Sequence, residues 1–210
     1  MITSSSNPRV RQVAQWQTKA KERRQAGIFV VEGFKMFGEA PEEAVAEVYI
    51  SEEALERAGR QPELMGKLDR TGYETVTEEV FAKMSDTQTP QGILCVVKRP
   101  GHGLEQLLEA PRPLLMVLEN LQDPGNLGTI VRTGEGAGVT GIIIGSGTAD
   151  IYAPKTVRAT MGSIYRVPVD CAEDLVEAVG RLHRGGVHTY AAHLQGKNYY
   201  DGFSFREATA

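Results

Sequence analysis

The sequence predicts an α/β fold with two domains, and three observations support this. Strand and helix patterns alternate through residues 28–97, which is typical of a compact α/β layer structure. Proline and glycine then cluster at residues 100–113 around one short helical pattern, which indicates a linker. From residue 114 an apolar strand, a polar loop, a helix and a second strand follow in order, and this βαβ order implies a parallel sheet. We therefore expect domains at residues 1–99 and 114–210, joined by a linker at 100–113.

The first 25 residues form a basic segment within an acidic chain. They carry six basic side chains and a single acid, Glu22, which gives 6 − 1 = +5, whereas the whole chain has a net charge of −4. The six are Arg9, Arg11, Lys19, Lys21, Arg23 and Arg24. Asn7 and Pro8 are typical of a helix start. The charges can be a solvated helix face or a phosphate-binding patch, and their one-sided distribution favours the phosphate-binding patch.

The pattern of apolar residues predicts four strands and four helices in the rest of the first domain. The predicted strands are residues 28–31, 45–50, 73–76 and 92–97, and the predicted helices are residues 33–40, 52–58, 62–68 and 78–84. A further short helix is expected within the linker at residues 104–108.

The second domain begins with a buried strand at residues 114–118 and a polar loop that contains Asn120, Asp123 and Asn126. A helix is predicted from Leu127, and a second buried strand at residues 141–145. Open α/β sheets bind ligands at the carboxyl ends of their strands. Arg132, six residues after Asn126, places a fork of donors within reach of an anion bound at this loop. Spacing alone favours the simpler alternative, in which Asn126 is a helix N-cap and Arg132 a solvated charge.

Two patterns in this domain resemble known sites but lack their context. Residues 136–141 read G-x-G-x-x-G, but they close a helix and precede a strand, whereas a dinucleotide fingerprint follows a strand and opens a helix. His183, His188 and His193 are five residues apart, and no cysteine or acidic pattern completes a metal site. We expect neither NAD nor a metal. A helix at residues 172–182 and a third strand of the sheet at residues 187–192 are predicted instead.

The overall composition is that of an ordinary globular protein. Of 210 residues, 41% are hydrophobic and 24% are charged, so nucleic-acid binding would depend on local patches. Cys95 and Cys171 lie far apart in apolar contexts, which predicts buried, reduced thiols in a cytoplasmic protein. The sequence contains no apolar run of membrane-spanning length and no signal-peptide pattern at its start.

The residues from Asn126 to Arg132 resemble the N-x-G-x-x-x-R motif of the SpoU (TrmH-like) ribose methyltransferases of the SPOUT superfamily. Residues 154–163 and 166–169 resemble the segment between that family's first two motifs, and residues 29–33 and 89–92 resemble its N-terminal substrate-binding domain. The resemblance covers nearly the whole chain in order. It implies a small RNA-binding domain similar to a ribosomal protein, followed by a SPOUT domain.

The resemblance also implies a reaction and its participants. The reaction is methyl transfer from S-adenosylmethionine to a ribose 2′-hydroxyl of ribosomal or transfer RNA by a homodimer. Arg132 and Asn126 would be catalytic, with Arg132 at the reacting hydroxyl, and Lys155 and Arg158 would contact RNA. Because a guanidinium is a poor base, we interpret Arg132 as gripping a phosphate and polarising the hydroxyl. The residues implied at the cofactor pocket are Ala192, His193, Leu194 and Gly196.

The resemblance is incomplete after Phe203. The family's second and third motifs, which tie a C-terminal knot and form most of the cofactor pocket, have no counterpart in the sequence. We therefore expect the knot to be absent or incomplete, with the polypeptide either shortened or continuing beyond Ala210. One competing function is a non-catalytic RNA-binding protein that retains the fold. Another, a small-molecule nucleotide enzyme, is weakened by the misplaced glycine pattern.

Overall fold

The computed structural model describes residues 1–196 and 199–210, and contains an antiparallel-rich sheet followed by a parallel one. The first sheet has the order β1-β4-β2-β3, in which β4 is antiparallel to both of its neighbours and β2 is parallel to β3. Its strands are β1 (Ile28–Glu32), β2 (Val45–Ser51), β3 (Glu74–Val76) and β4 (Ile93–Lys98). The helices around it are α1 (Pro8–Thr18), α2 (Ala20–Ala26), α3 (Phe34–Glu39), α4 (Glu52–Ala58), α5 (Pro62–Thr71) and α6 (Glu78–Met84).

The second sheet has three parallel strands in the order β5-β6-β7. They are β5 (Leu115–Leu118), β6 (Gly141–Gly145) and β7 (Val169–Ala172). The helices are α7 (Leu104–Leu108), which precedes the sheet, and α8 (Pro124–Gly136), α9 (Pro154–Thr160) and α10 (Leu175–Arg184). The α/β class and the parallel second sheet are therefore as predicted. Among the described residues, no helix is long and apolar enough to cross a membrane.

One hydrophobic core continues from the first sheet into the second. Phe29 on β1 packs its ring 5.1 Å from that of Tyr152 and 6.2 Å from that of Tyr165, measured between centroids. The same buried cluster includes Leu127 of α8 and Ile142 of β6. Helix α9, which follows β6, is packed directly against β1 of the first sheet.

Local capping explains where the helices begin. Asn7 caps α1 by accepting the Arg9 N–H at 2.9 Å, and Pro8 follows at the first helical position, as the sequence predicts. The prediction that α8 begins at Leu127 is wrong, because Asp123 is the cap and Pro124 begins the helix. Helices α4, α6 and α7 have the predicted bounds.

Two further predictions are wrong. The third strand of the parallel sheet is β7 and not residues 187–192, because the crossover through α9 returns the chain to the free edge of β6. His188 instead forms an isolated parallel bridge to Thr209, which also bridges Leu114. Cys95 is buried as predicted, but Cys171 is exposed.

Candidate active site

Two loops meet at the carboxyl edge of the parallel sheet, and we call them the edge loops: residues 119–123 after β5 and residues 146–150 after β6. The Ala149 N–H donates to the Leu121 carbonyl at 2.8 Å, and the Leu121 N–H donates to Thr148 Oγ1 at 3.4 Å. Gln122 Nε2 donates to the Gly147 carbonyl at 2.7 Å. The two loops are therefore joined by backbone and side-chain hydrogen bonds at the position where α/β sheets bind ligands.

The first edge loop ends in a firmly capped helix. Asp123 Oδ1 accepts the Asn126 N–H at 2.7 Å, and Lys155 Nζ lies 3.5 Å from Asp123 Oδ2. The hydrogen bond from Asn126, followed by the charge of Lys155, holds the pKa of the Asp123 carboxyl below its usual value. Asn126 therefore lies in the first turn of α8 and is not its N-cap, and its side chain is exposed.

Gly128 allows α8 to pack closely on α9. A Cβ at Gly128 would lie 2.5 Å from the Thr156 carbonyl oxygen and 2.6 Å from the Ala159 Cβ. Both distances are shorter than van der Waals contact, so only glycine permits this approach. The glycine of the motif thus has a packing role that sets the position of α8.

Arg132 lies about 9 Å further along the axis of α8 than Asn126. Its side chain is exposed, and within residues 1–196 and 199–210 its guanidinium has no hydrogen-bond or ion-pair partner. The nearby acid Glu135 is engaged elsewhere, because it accepts hydrogen bonds from Arg166 and from Ser163 Oγ. These two donors, Arg166 first, lower the pKa of Glu135. Arg132 is therefore a cation available to a ligand.

A concave pocket of about 600 Å³ lies beside β5. It is lined by Val117, Leu118, Glu119, Leu121, Ile130, Leu175, Val179, Thr189, Tyr190, Ala191, Ala192 and Ala210. Of the predicted cofactor residues, Ala192 belongs to this lining, whereas His193, Leu194 and Gly196 are exposed and lie outside it. Its walls are largely apolar, and Glu119 adds one carboxylate at the end of β5.

Most of the predicted RNA-binding side chains are exposed, but Arg23 is not. Arg9 is exposed and lies 3.5 Å from Glu74. Arg11, Lys19, Lys21 and Arg24 are exposed. The assignment of Arg23 to a phosphate-binding patch is wrong: it is only 3% exposed, and its guanidinium is engaged by the Trp16 carbonyl and the Asp150 carboxylate.

The two basic residues of α9 for which the resemblance implies RNA contact, Lys155 and Arg158, are both paired with acids. Arg158 Nη1 donates to Asp86 Oδ2 at 2.9 Å, which connects α9 to the loop after α6, and Lys155 pairs with Asp123 as described. Arg158 is partly buried by this contact, whereas Lys155 remains 63% exposed. Of the two, Lys155 is better placed to reach a bulky ligand.

Contacts between distant segments were not foreseen from the sequence. Arg166 bridges Glu135 of α8 and Glu39 of α3, with Arg166 Nη1 2.7 Å from Glu39 Oε2. Gly162 makes room for Glu39, whose carboxylate would overlap a Cβ at that position. The partners Glu39 and Arg166 are 127 residues apart, so no local spacing could have revealed the pair.

Known protein families match both parts of the chain. The model of the SpoU rRNA Methylase family matches residues 113–210, and that of the MRM3-like substrate binding domain matches residues 7–95. The 23S rRNA (guanosine(2553)-2′-O)-methyltransferase RlmP of Bacillus subtilis is 32% identical over 203 residues, which cover 92% of this chain and 73% of the relative.

Solved structures agree with this match. An rRNA methyltransferase from Sinorhizobium meliloti has a TM-score of 0.81 at 28% identity, covering 97% of this chain and 76% of that one. Its AdoMet-bound form has a TM-score of 0.81 at 27% identity, covering 99% and 77%.

Proposed function

The chain belongs to the SpoU rRNA methylase family, and we propose that it transfers a methyl group from S-adenosylmethionine to a ribose 2′-hydroxyl of structured RNA. Ribosomal RNA is the first candidate substrate, because the RlmP relative is a 23S rRNA methyltransferase, and transfer RNA is the second. The observation that carries the proposal is the exposed guanidinium of Arg132, which has no partner among the described residues, on a helix whose start is fixed at the carboxyl edge of the sheet.

The proposed chemistry assigns separate roles to Arg132 and Asn126. S-adenosylmethionine, when bound, supplies an electrophilic methyl group on a sulfonium. The ribose hydroxyl must be aligned with that methyl, so that the new bond from oxygen to the methyl carbon would replace the bond from sulfur, S-adenosylhomocysteine would leave, and the hydroxyl proton would pass to water. A guanidinium is a cation and a donor, so Arg132 would grip a phosphate next to the target ribose and stabilise negative charge that develops on the hydroxyl oxygen. Asn126 orients the ribose through its exposed amide.

The pocket beside β5 fits the proposed cofactor in size and chemistry. Its volume of about 600 Å³ is within the usual range for small-molecule sites. Apolar side chains such as Leu118 and Ile130 suit the faces of an adenine ring, and the carboxylate of Glu119 suits the cationic end of the cofactor. Ala192, which belongs to the same lining, would also contact the cofactor, and contacts from His193, Leu194 and Gly196 remain predictions.

The remaining parts of the proposal concern RNA and assembly. Arg9, Arg11, Lys19, Lys21 and Arg24 would hold RNA phosphates, with Lys155 and Arg158 nearer the reacting nucleotide. A homodimer in the cytoplasm is proposed, and exposed apolar side chains such as Leu194 and Phe205 support an interface. Sedimentation analysis showing only a monomer at micromolar concentration would contradict the dimer.

The test of the reaction is transfer of a labelled methyl group. The full chain is incubated with methyl-labelled S-adenosylmethionine and an in vitro transcript of 23S ribosomal RNA, and 2′-O-methylated nucleotides are then mapped. We expect a single methylated ribose. If the chain binds the transcript without transferring label, the alternative of a non-catalytic RNA-binding protein is correct.

A further inference from the structure

Arg23 is a buried arginine at the junction between the two basic helices and the second domain. Its Nη1 donates to the Trp16 carbonyl at 2.5 Å and to the Gln17 carbonyl at 3.2 Å, both near the end of α1. Its Nη2 donates to Asp150 Oδ2 at 2.6 Å. The Arg23 side chain is 4% exposed and that of Asp150 is 28% exposed. One guanidinium therefore ties the α1–α2 turn to the second edge loop.

Asp150 in turn organises the edge loops. Its Oδ1 accepts the Tyr152 N–H at 3.0 Å, and its carbonyl accepts the buried Thr156 hydroxyl at 3.0 Å, which fixes the turn into α9. Ala149, the residue before it, donates its N–H to the Leu121 carbonyl at 2.8 Å. Leu121 is two residues before Asp123, the cap of α8. The path from Arg23 to the helix of Arg132 thus consists of consecutive hydrogen bonds and short stretches of backbone.

Stability alone is a poor reason for this ion pair. Such an ion pair contributes little net stability compared with apolar residues of similar size, because Arg23 loses nearly all of its hydration and Asp150 loses much of its own. The apolar contacts of Phe29 with Tyr152 and Tyr165 already join the same surfaces. The pair instead contributes a fixed geometry, because the planar guanidinium holds the two carbonyls and the carboxylate in one arrangement.

We propose that Arg23 is a positioning residue for methyl transfer. RNA that is held by the exposed cations of α1 and α2 fixes the conformation of the edge loops through the Arg23–Asp150 pair. The inference rests on the proposed function. Lys19, Lys21 and Arg24 flank Arg23 on the same short segment, and they are exposed where Arg23 is buried. Phosphate contacts that order this segment therefore also order the guanidinium that holds Asp150.

The test uses two conservative variants in the full chain. Arg23→Lys keeps the charge, but an ammonium cannot reproduce the fork to two carbonyls and a carboxylate. Asp150→Asn keeps the acceptor for the Tyr152 N–H, but removes the charge that pairs with Arg23. Arg70→Gln is the matched control, because it breaks the exposed Arg70–Glu42 pair of the first domain. Each protein is measured with the 23S transcript below its unfolding temperature.

Two readouts separate positioning from a structural role. With both substrates saturating, we expect the methylation rate of Arg23→Lys and of Asp150→Asn to fall by about tenfold or more, whereas RNA affinity changes by less than about threefold. Amide hydrogen exchange at Leu121 and Ala149 should slow on RNA binding in the wild type and in Arg70→Gln, but not in the two variants.

The outcomes distinguish this inference from the proposed function. If wild-type protein methylates RNA and both variants match it in rate or in RNA-dependent protection of the edge loops, the positioning role is wrong. A loss of rate that only follows a loss of RNA affinity also overturns it. If wild-type protein binds the transcript and transfers no methyl group, the proposed function itself fails.

Discussion

Arg132 and Arg23 lie in two regions that the sequence associates with RNA, and their surroundings are opposite. Arg132, on α8, is exposed and without a protein partner among the described residues, whereas Arg23, on α2, is buried against two carbonyls and one carboxylate. An arginine that the protein has not paired is available to a ligand. Arg23, whose two terminal nitrogens are both taken up by protein acceptors, can act only through the groups that it holds. A count of charges in the sequence cannot distinguish an exposed arginine from a buried one, because each contributes one positive charge.

The largest effect is expected from Arg132→Ala. Loss of a positioned, charge-stabilising group typically reduces a rate by about 10²-fold or more, and we expect that loss in methylation under saturating conditions. RNA affinity and melting temperature should change little, because Arg132 has no partner within the described part of the chain. The measurement is the single-turnover transfer of labelled methyl to RNA.

Arg112→Ala, in the exposed linker, is the matched control for this prediction and should retain the wild-type rate. A rate for Arg132→Ala within about twofold of wild type would contradict a transition-state role. In that case Arg132 would be a solvated charge without a catalytic role, and it would no longer contrast with Arg23 in function.

The region around Arg132 was largely predictable from the sequence, because its signals are local. An apolar run, a polar loop, helical spacing and the N-x-G-x-x-x-R motif all fall within residues 114–132, and the structure builds a strand, an edge loop and α8 from them. The apolar spacing predicts the start of α8 three residues late, at Leu127 and not at Pro124, because the pattern groups Asp123 with the polar loop.

The surroundings of Arg23 were not predictable, because they depend on contacts between segments that are far apart in the sequence. Its partner Asp150 is 127 residues away, and neither spacing nor periodicity relates them. The third strand of the parallel sheet was missed similarly: the crossover through α9, and not apolar content, decides that β7 and not residues 187–192 lies beside β6. The roles of the individual site residues stay predictions until they are tested.

Gly128→Ala tests whether the position of α8 depends on close packing, as the comparison requires. Its Cβ would overlap the Thr156 carbonyl and Ala159, so we expect a loss of about 1–3 kcal/mol in unfolding free energy by chemical denaturation. Gly136→Ala is the matched control, because no atom lies within 4 Å of the added Cβ and alanine favours the helix. Equal stabilities for the two variants would show that α8 adapts freely.

The basic segment offers a direct contrast between exposed and buried cations. Replacing Lys19, Lys21 and Arg24 together by glutamine should reduce the slope of log RNA affinity against log salt by about one unit per lost phosphate contact. Arg23→Lys should leave that slope unchanged, because Arg23 is buried and engaged by the protein. Filter binding over a range of salt concentrations measures both. A slope that is unaltered in the triple variant would show that these charges only solvate the helices.

The smallest expected effect is on stability, and it compares two aspartates in the way that Arg132 and Arg23 were compared. Asp150 is paired with Arg23, whereas Asp170 on β7 has no ion-pair partner among the described residues. Burial raises the pKa of Asp170 above its ordinary 3.8, although the Cys171 N–H opposes this. A raised pKa means that the folded state binds the proton more tightly than the unfolded state does. The ionised carboxylate is therefore destabilising, and its contribution to stability falls as pH rises through the folded-state pKa.

Asp170→Asn cannot ionise, so it should melt slightly higher than wild type at about pH 7, by no more than about 2 °C, because the group is only partly buried. The difference should vanish at about pH 3, where the wild-type carboxyl is protonated. Asp150→Asn provides the opposite sign at neutral pH, since it removes the carboxylate that neutralises Arg23. Calorimetry measures the melting temperatures of both variants and of the wild type at both pH values. If Asp170→Asn shifts the melting temperature equally at both pH values, ionisation of Asp170 is not the cause of the shift.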